Sequence, residues 1–150
     1  MMTKTILAVA IVAATTVYSM AWAQSTSPIG LWKSIDDRTG KPTAIIRINE
    51  IEGRFQGRIE KVFPEPGESE NPVCSECKGE FRDQPVVGMT ILSELRRVGD
   101  EYTGGQILDP DNGKLYRCTM RLFDGGSRLN IRGYIGIQLL GRTQVWLREQ

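Results

Sequence analysis

The sequence predicts an all-β fold, a small antiparallel up-and-down barrel of about eight strands that follows an N-terminal signal peptide. Three observations lead to this prediction. Segments with alternating apolar and polar residues recur along the chain, turn sequences separate them at intervals of roughly 8–12 residues, and no segment keeps the periodicity of a helix. Successive hairpins favour a meander over a Greek key, and closing the meander removes exposed sheet edges.

In the first half of the chain, the predicted strands lie on either side of one long polar loop. GLWKSI leads into the turn DDRTGKP, and TAIIRINE places Ala44, Ile46 and Ile48 on one face. RFQGRIEKV does the same for Phe55, Gly57 and Ile59. The loop occupies residues 64–85. VVGMTILSEL then resumes the apolar pattern with Met89 and Ile91 in register, as a strand or a short helix.

The second half of the chain repeats the hairpin pattern. EYTGGQIL ends at DPDNG, where the Asn-Gly pair predicts a type I′ turn because both residues accept positive φ angles. KLYRCTMRLF places Tyr116, Cys118, Met120 and Leu122 on one face, and DGGS turns the chain again. RLNIRGYIGI aligns Leu129, Ile131, Gly133 and Ile135, and TQVWLRE is the last predicted strand.

Residues 1–23 have the layout of a secretory signal peptide. Lys4 precedes an apolar stretch at residues 6–17, and Ala21 and Ala23 form a small-x-small cleavage site. The stretch is short for a membrane span, which needs about 20 residues; a retained N-terminal anchor is the alternative. We therefore expect cleavage after Ala23, a periplasmic location, and one domain at residues 24–150 without a membrane span.

Charge excludes one class of partner. The chain has 19 Lys and Arg against 18 Asp and Glu, and loss of Lys4 with the signal peptide would balance them. Both signs are interspersed. A nucleic-acid-binding domain typically carries a basic stripe and a clear positive excess. We expect no nucleic-acid partner, and no pattern in the chain indicates a cofactor.

Two family resemblances support the barrel. GLW at Gly30–Trp32, together with WLR ending at Arg148, resembles the lipocalin pattern, in which the tryptophan lies at the closed barrel end beneath a late arginine. This implies that Trp32 is a structural anchor covered by Arg148, or second by Arg142. GLWKSIDDRTGKPTAIIRI, VVGMTIL, GGQILDPDNGKLYRC and LNIRGYIGIQLLGRTQVWLR resemble the bacterial exported family called domain of unknown function 2147. That family implies a lipocalin-like barrel and leaves activity open.

Cys74 and Cys77, in the loop at residues 64–85, have three possible roles. A structural zinc site usually needs four Cys or His ligands. The chain has no histidine and three cysteines, so Cys118 and a carboxylate would have to join. Redox catalysis needs a lowered thiol pKa, which the glutamates of the loop oppose. Export favours a Cys74–Cys77 disulfide, with Cys118 a buried thiol and no metal bound.

Other polar clusters are better explained as turns or surface. Asp36 and Asp37 could form a carboxylate pair, but adjacent residues point apart and DDRTG is typical of a turn. The segment Asp109–Gly113 resembles part of a calcium loop and lacks the remaining acidic ligands. Arg132, Tyr134 and Arg142 form a candidate polar patch, for which a solvated barrel surface is the simpler explanation.

Strand parity predicts the residues that point into the barrel. They are Ile46, Phe55, Ile59, Met89, Tyr116, Met120 and Ile131. Barrels of eight strands either hold one small ligand or are filled by side chains. The first hypothesis is a non-enzymatic binding module for a small apolar or amphipathic ligand. The alternatives are an envelope protein-interaction or stress-related module acting through the acidic loop at 64–85 and the barrel rim, and a carboxylate-dependent enzyme.

Overall fold

The structure, a computed structural model, describes residues 26–150, so the predicted signal peptide at residues 1–23 lies outside the described residues. Within them, eight strands close into one antiparallel barrel in chain order. The strands are β1 Gly30–Ile35, β2 Pro42–Ile51, β3 Arg54–Val62, β4 Thr90–Val98, β5 Glu101–Asp109, β6 Lys114–Phe123, β7 Arg128–Tyr134 and β8 Arg142–Arg148. Short 3-10 turns lie at Gly79–Phe81, Asp124–Gly126 and Gln138–Leu140. The predicted fold class is confirmed. None of the helical turns in the described part of the chain could cross a bilayer.

Alternation along the strands determines which side chains enter the barrel. Trp32 opposes Ile46, and Met120 opposes Ile131; directly opposed residues share one face of a sheet. The interior faces meet in one buried apolar cluster that contains both Trp32 and Trp146. Burial of these faces from several strands at once is what drives barrel closure.

Two glycines let large side chains fill the middle of the barrel. A Cβ built on Gly57 would lie 3.0 Å from Leu92 Cβ and 3.1 Å from Ile46 Cγ2. One on Gly105 would lie 2.3 Å from Leu95 Cγ. The leucines of β4 therefore occupy the space that larger residues on β3 and β5 would need.

The alternation of β4 differs from its prediction. Leu92 opposes Gly57 and Leu95 opposes Phe55, so two residues three positions apart both face inward. Glu94, between them, has a φ angle of 63° and breaks the period of two. Met89 precedes the strand, and its carbonyl accepts a hydrogen bond from the Ile59 N–H at 3.0 Å.

Two predictions about strand ends were wrong. The β5–β6 connection is a hairpin, but its closing residues are Asp109 and Lys114, and only Gly113 within it has positive φ. The Asp109 carboxylate accepts the Asp111 N–H at 3.0 Å and its carbonyl accepts the Gly113 N–H at 2.8 Å, which closes a longer loop than a type I′ turn. Ile135 does not continue the inward face of β7, because that strand ends at Tyr134.

The two ends of the barrel are closed differently. We call one the Trp end; it comprises the start of β1 and the β2–β3, β4–β5 and β6–β7 turns. The other, the disulfide end, comprises the β1–β2 turn, the long β3–β4 connection, the β5–β6 hairpin and the β7–β8 loop. At the disulfide end the long connection packs on the hairpin, since a Cβ built on Gly113 would lie 2.0 Å from the Glu76 carbonyl oxygen.

Candidate functional site

The predicted interior residues are brought together, but among other large side chains. Ile46, Phe55, Ile59, Met89, Met120 and Ile131 are all buried. Tyr116 is half-buried, and its hydroxyl accepts a hydrogen bond from Asn112 Nδ2 at 3.2 Å. Trp32, Trp146, Leu92, Leu95 and Leu129 share the cluster and are fully buried. Around these residues, side chains pack the barrel interior as a hydrophobic core.

Two clefts of the described residues open to solvent. A cleft of about 200 Å³ lies on the outer face of β6–β8, beside Thr119, Asn130 and Arg132. A larger one, of about 390 Å³, lies at the Trp end between the N-terminal segment and the β2–β3 and β4–β5 turns, and we call it the Trp-end cleft. Its lining residues are Thr26, Ser27, Glu50, Gly53, Phe55, Arg96, Arg97 and Tyr102.

Two buried aromatic rings line the Trp-end cleft. Phe55 and Tyr102 meet edge to face, with centroids 4.8 Å apart and ring planes at 79°. Such a pair contributes about 0.5–1.5 kcal/mol beyond its buried area. Burial raises the pKa of Tyr102, an effect that the nearby Arg97 charge opposes. The phenol is therefore neutral at physiological pH, and it offers the cleft a polar atom beside an apolar surface.

The charged groups of the Trp-end cleft are two cations and one anion. Arg97 Nε donates to the Gly99 carbonyl at 3.0 Å, which fixes that side chain against its own turn. Across residues 26–150, no hydrogen bond or ion pair engages the guanidinium of Arg96. Glu50 supplies the single carboxylate. Among the described residues, the cleft therefore has one planar cation without a partner, of the kind that binds carboxylates and phosphates through two parallel hydrogen bonds.

Trp32 and Arg148 hold the wall of this cleft. The guanidinium carbon of Arg148 lies 4.3 Å from the Trp32 ring centroid. Its nitrogens donate to the carbonyls of Ser27, Ile29 and Gly126 at 2.7, 2.9 and 2.6 Å. Trp32 Nε1 donates to the Pro28 carbonyl at 2.7 Å. The pair holds the segment that carries Ser27 across the Trp end. Arg142, the second candidate to cover Trp32, instead forms an ion pair with Asp37 at 2.9 Å.

The cysteines do not form a metal site in the described residues. Cys74 and Cys77 are joined in a disulfide, which confirms that prediction. Both are buried, and Cys74 Sγ lies 3.2 Å from the Pro110 carbonyl oxygen. Cys118 is free and buried, and burial raises the pKa of its thiol to about 12. It is thus protonated and unreactive at neutral pH.

The candidate carboxylate pair is separated. Asp36 Oδ1 accepts hydrogen bonds from the backbone N–H groups of Thr39 at 2.7 Å and Arg38 at 2.9 Å. These hydrogen bonds lower the pKa of Asp36, and the bond from Thr39 has the larger effect. Asp37 binds Arg142 instead. The Asp109–Gly113 segment forms the β5–β6 hairpin with its own internal hydrogen bonds.

The Trp-end cleft was not predicted from the sequence. One signal was present: Arg96 and Arg97 stand as an adjacent basic pair just before the turn at Gly99. Tyr102 was missed because Gly104, at a φ angle of 74°, breaks the alternation of β5. The approach of the N-terminal segment to two separate turns depends on barrel closure and has no local signature.

Comparisons with known proteins agree with this architecture. A family model for uncharacterized proteins conserved in bacteria, DUF2147, matches residues 30–148. A solved structure, protein HP1028 from the human pathogen Helicobacter pylori, described as belonging to the lipocalin family, has a TM-score of 0.70 at 20% identity. The similarity covers 84% of this chain and 85% of that one, and at this identity it concerns the fold.

No functionally curated protein matches the chain. The family match runs from the first residue of β1 to the last residue of β8. The chain therefore belongs to the DUF2147 family of uncharacterized bacterial proteins, and its fold is a lipocalin-like barrel.

Proposed function

We propose that the protein is a non-enzymatic binding module that holds a small amphipathic anion in the Trp-end cleft. The observation that carries this proposal is the combination, in one cleft of about 390 Å³, of an aromatic pair, Phe55 and Tyr102, with the guanidinium of Arg96, which no described residue engages. Ligand sites typically combine an apolar lining with a few placed polar groups.

The chemistry of the lining selects the ligand class. The aromatic edges favour a flat or aliphatic body, while Arg96 and Arg97 favour a carboxylate, sulfonate or phosphate head group. Glu50 leaves one net positive charge among the lining groups. A ligand with one negative charge therefore complements the cleft, and a cationic or fully apolar ligand does not.

The Trp-end cleft replaces the barrel lumen as the proposed site. The lumen hypothesis requires free volume between the strands, whereas Leu92 and Leu95 pack against the backbone of Gly57 and Gly105 there. The enzyme alternative asks for convergent carboxylates, and the cleft lining includes only Glu50. Binding without chemistry is the simpler use of such a site.

A protein-interaction module is the second candidate, because the acidic loop at residues 64–85 is ordered. Cys74 N–H donates to the Gln84 carbonyl at 2.9 Å, and Val73 forms an isolated bridge with Pro85. The loop exposes Glu65, Glu68 and Glu70. A preorganised acidic surface suits a basic protein partner, because less ordering entropy is lost on binding.

Titration with an anilinonaphthalene sulfonate tests the ligand proposal, because this fluorescent probe is an aromatic anion. We expect saturable binding that the double change Arg96→Gln and Arg97→Gln weakens roughly tenfold or more, as for loss of charge-assisted hydrogen bonds. Thr26→Trp, which narrows the cleft, should weaken it too. Arg38→Gln, at the disulfide end, is the matched control. Equal affinity in all four proteins would reject the proposed site.

We also propose that the protein is exported to the periplasm. The signal-peptide pattern at residues 1–23 and the Cys74–Cys77 disulfide support this, since stable disulfides are typical of oxidising compartments. Mass spectrometry of the protein from a periplasmic fraction should give an N-terminus at Gln24. A cytoplasmic protein that retains residues 1–23 would contradict the proposal.

A further inference from the structure

The segment at residues 26–29 forms one wall of the Trp-end cleft, and we call it the strap. Thr26 and Ser27 line the cleft together with residues of the β2–β3 and β4–β5 turns. The strap lies outside the strand pairing of the described barrel, since β1 begins at Gly30. Its position therefore depends on hydrogen bonds from side chains of the barrel.

Two barrel side chains bond three successive carbonyls of the strap. Arg148 Nη2 donates to the Ser27 carbonyl at 2.7 Å, and Nη1 donates to the Ile29 carbonyl at 2.9 Å. Trp32 Nε1 donates to the Pro28 carbonyl, between them, at 2.7 Å. Neither Arg148 nor Trp32 is among the residues that line the cleft. Both side chains can therefore affect a ligand in the cleft through the strap without touching it.

Gly30 permits the close approach of Arg148 to the strap. Its φ angle is 133°, in a region that residues with a side chain rarely adopt. A Cβ built there would lie 3.1 Å from Arg148 Nη1, the nitrogen that bonds the Ile29 carbonyl. Alanine at this position would strain the backbone at the end of the strap and would also displace the guanidinium from its partner.

We propose, on the basis of the proposed function, that Arg148 is a positioning residue for the Trp-end cleft and that docking of the strap is linked to ligand binding. The ligand contacts the wall at Thr26 and Ser27 only while Arg148 holds the strap in place. Undocking of the strap therefore lowers the affinity for the ligand. By thermodynamic linkage, a bound ligand stabilises the docked strap by the same factor.

Affinity for the anilinonaphthalene sulfonate probe tests the positioning role. Arg148→Gln and Arg148→Lys should each weaken binding roughly tenfold, because neither new side chain reproduces the planar fork that bonds several carbonyls at once. Gly30→Ala should weaken binding in the same direction. The matched controls are Arg142→Gln, on the same strand, and Gly40→Ala, whose φ angle is 71° and whose Cβ would meet nothing within 4 Å. Each titration is done well below the thermal unfolding midpoint of the variant.

Hydrogen exchange in the wild type tests the linkage without any substitution. The Trp32 indole N–H is bonded to the strap and fully buried, so its exchange reports undocking of the strap. We expect it to be less protected than the backbone amides of β6 and β7, because the strap opens without the barrel. A probe concentration of about ten times Kd should raise its protection roughly tenfold, since the undocked state does not bind.

The outcomes separate this proposal from the proposed function. Absence of saturable probe binding by the wild type would reject both. Wild-type binding that Arg148→Gln and Gly30→Ala leave unchanged would reject the positioning role alone. Wild-type affinity in Arg148→Lys would assign the effect to charge instead of position. Protection of the Trp32 N–H that does not change when the probe is bound would reject the linkage, and this measurement stands even if Arg148→Gln fails to fold.

Discussion

At the scale of single residues, the Trp32–Arg148 stack joins the first and last strands and fixes the segment before β1. The Trp32 ring is fully buried and Arg148 closes over it. We expect Trp32→Ala to lower the free energy of unfolding by about 3–5 kcal/mol, as for other buried aromatic truncations. Arg148→Ala should cost less, about 2 kcal/mol, because its freed carbonyl partners regain water near the surface.

Urea unfolding of the single and double variants measures this coupling. A double-mutant cycle should give a non-additive term, since the two side chains are in contact. Arg142→Ala, which loses one exposed ion pair, is the control and should stay within about 0.5 kcal/mol of the wild type. An unchanged midpoint for Trp32→Ala would contradict the role of Trp32 as an anchor.

Cys118 gives a second prediction at this scale. Burial raises the pKa of its thiol from the ordinary 9.0 to about 12. The protonated form is favoured by folding, so this stabilisation is present below pH 9 and is lost as the pH rises towards 12. Iodoacetamide at about pH 8 should leave the folded protein unlabelled, since only the thiolate reacts, and after unfolding without reductant Cys118 alone should react.

The comparison of wild type with Cys118→Ala isolates the pH dependence. Between about pH 8 and pH 10.5 the wild type should lose more unfolding free energy than the variant, because the variant lacks the shifted thiol. Equal losses would show that the thiol is not desolvated.

At the scale of elements, the contact between the long β3–β4 connection, which carries the disulfide, and the β5–β6 hairpin depends on one glycine. Gly113 and Gly99 have nearly equal φ angles, 68° and 66°, but a Cβ would meet the Glu76 carbonyl only at Gly113. Gly99→Ala should cost about 1 kcal/mol, the left-handed backbone penalty alone. Gly113→Ala should cost more and should raise hydrogen exchange across residues 72–86. Equal costs for the two changes would contradict the packing of the loop on the hairpin.

Strands and connections were predictable to different degrees. Alternation in KLYRCTMRLF placed Cys118 and Met120 inside correctly, because one buried face fixes the register of a strand. Alternation failed in β4 for Leu92, which is buried although its parity is opposite to that of Met89 and Ile91, since the positive φ of Glu94 that breaks the period is not encoded by any residue preference. The turn after β5 was located correctly and its type was wrong, because Asp109 forms side-chain hydrogen bonds that compete with an Asn-Gly turn.

At the scale of the whole molecule, the protein is a lipocalin-like barrel, and we propose that its ligand site lies at one end rather than in the interior. The barrel and its core follow from local patterns that agree with each other. The Trp-end cleft combines residue 27 with two turns far apart in the sequence, so it exists only once the barrel closes.

The central claim is that the interior is packed and that the ligand binds at the Trp end. Its most direct test is a titration of the isotope-labelled protein with anilinonaphthalene sulfonate, followed by amide chemical shifts in heteronuclear spectra. We expect saturable shifts at residues 26–27, 50–55 and 96–102, with little change at the inward-facing Ile46, Met120 and Ile131. Saturable shifts at these inward residues, with the turns unaffected, would contradict the claim and would place the ligand in the lumen.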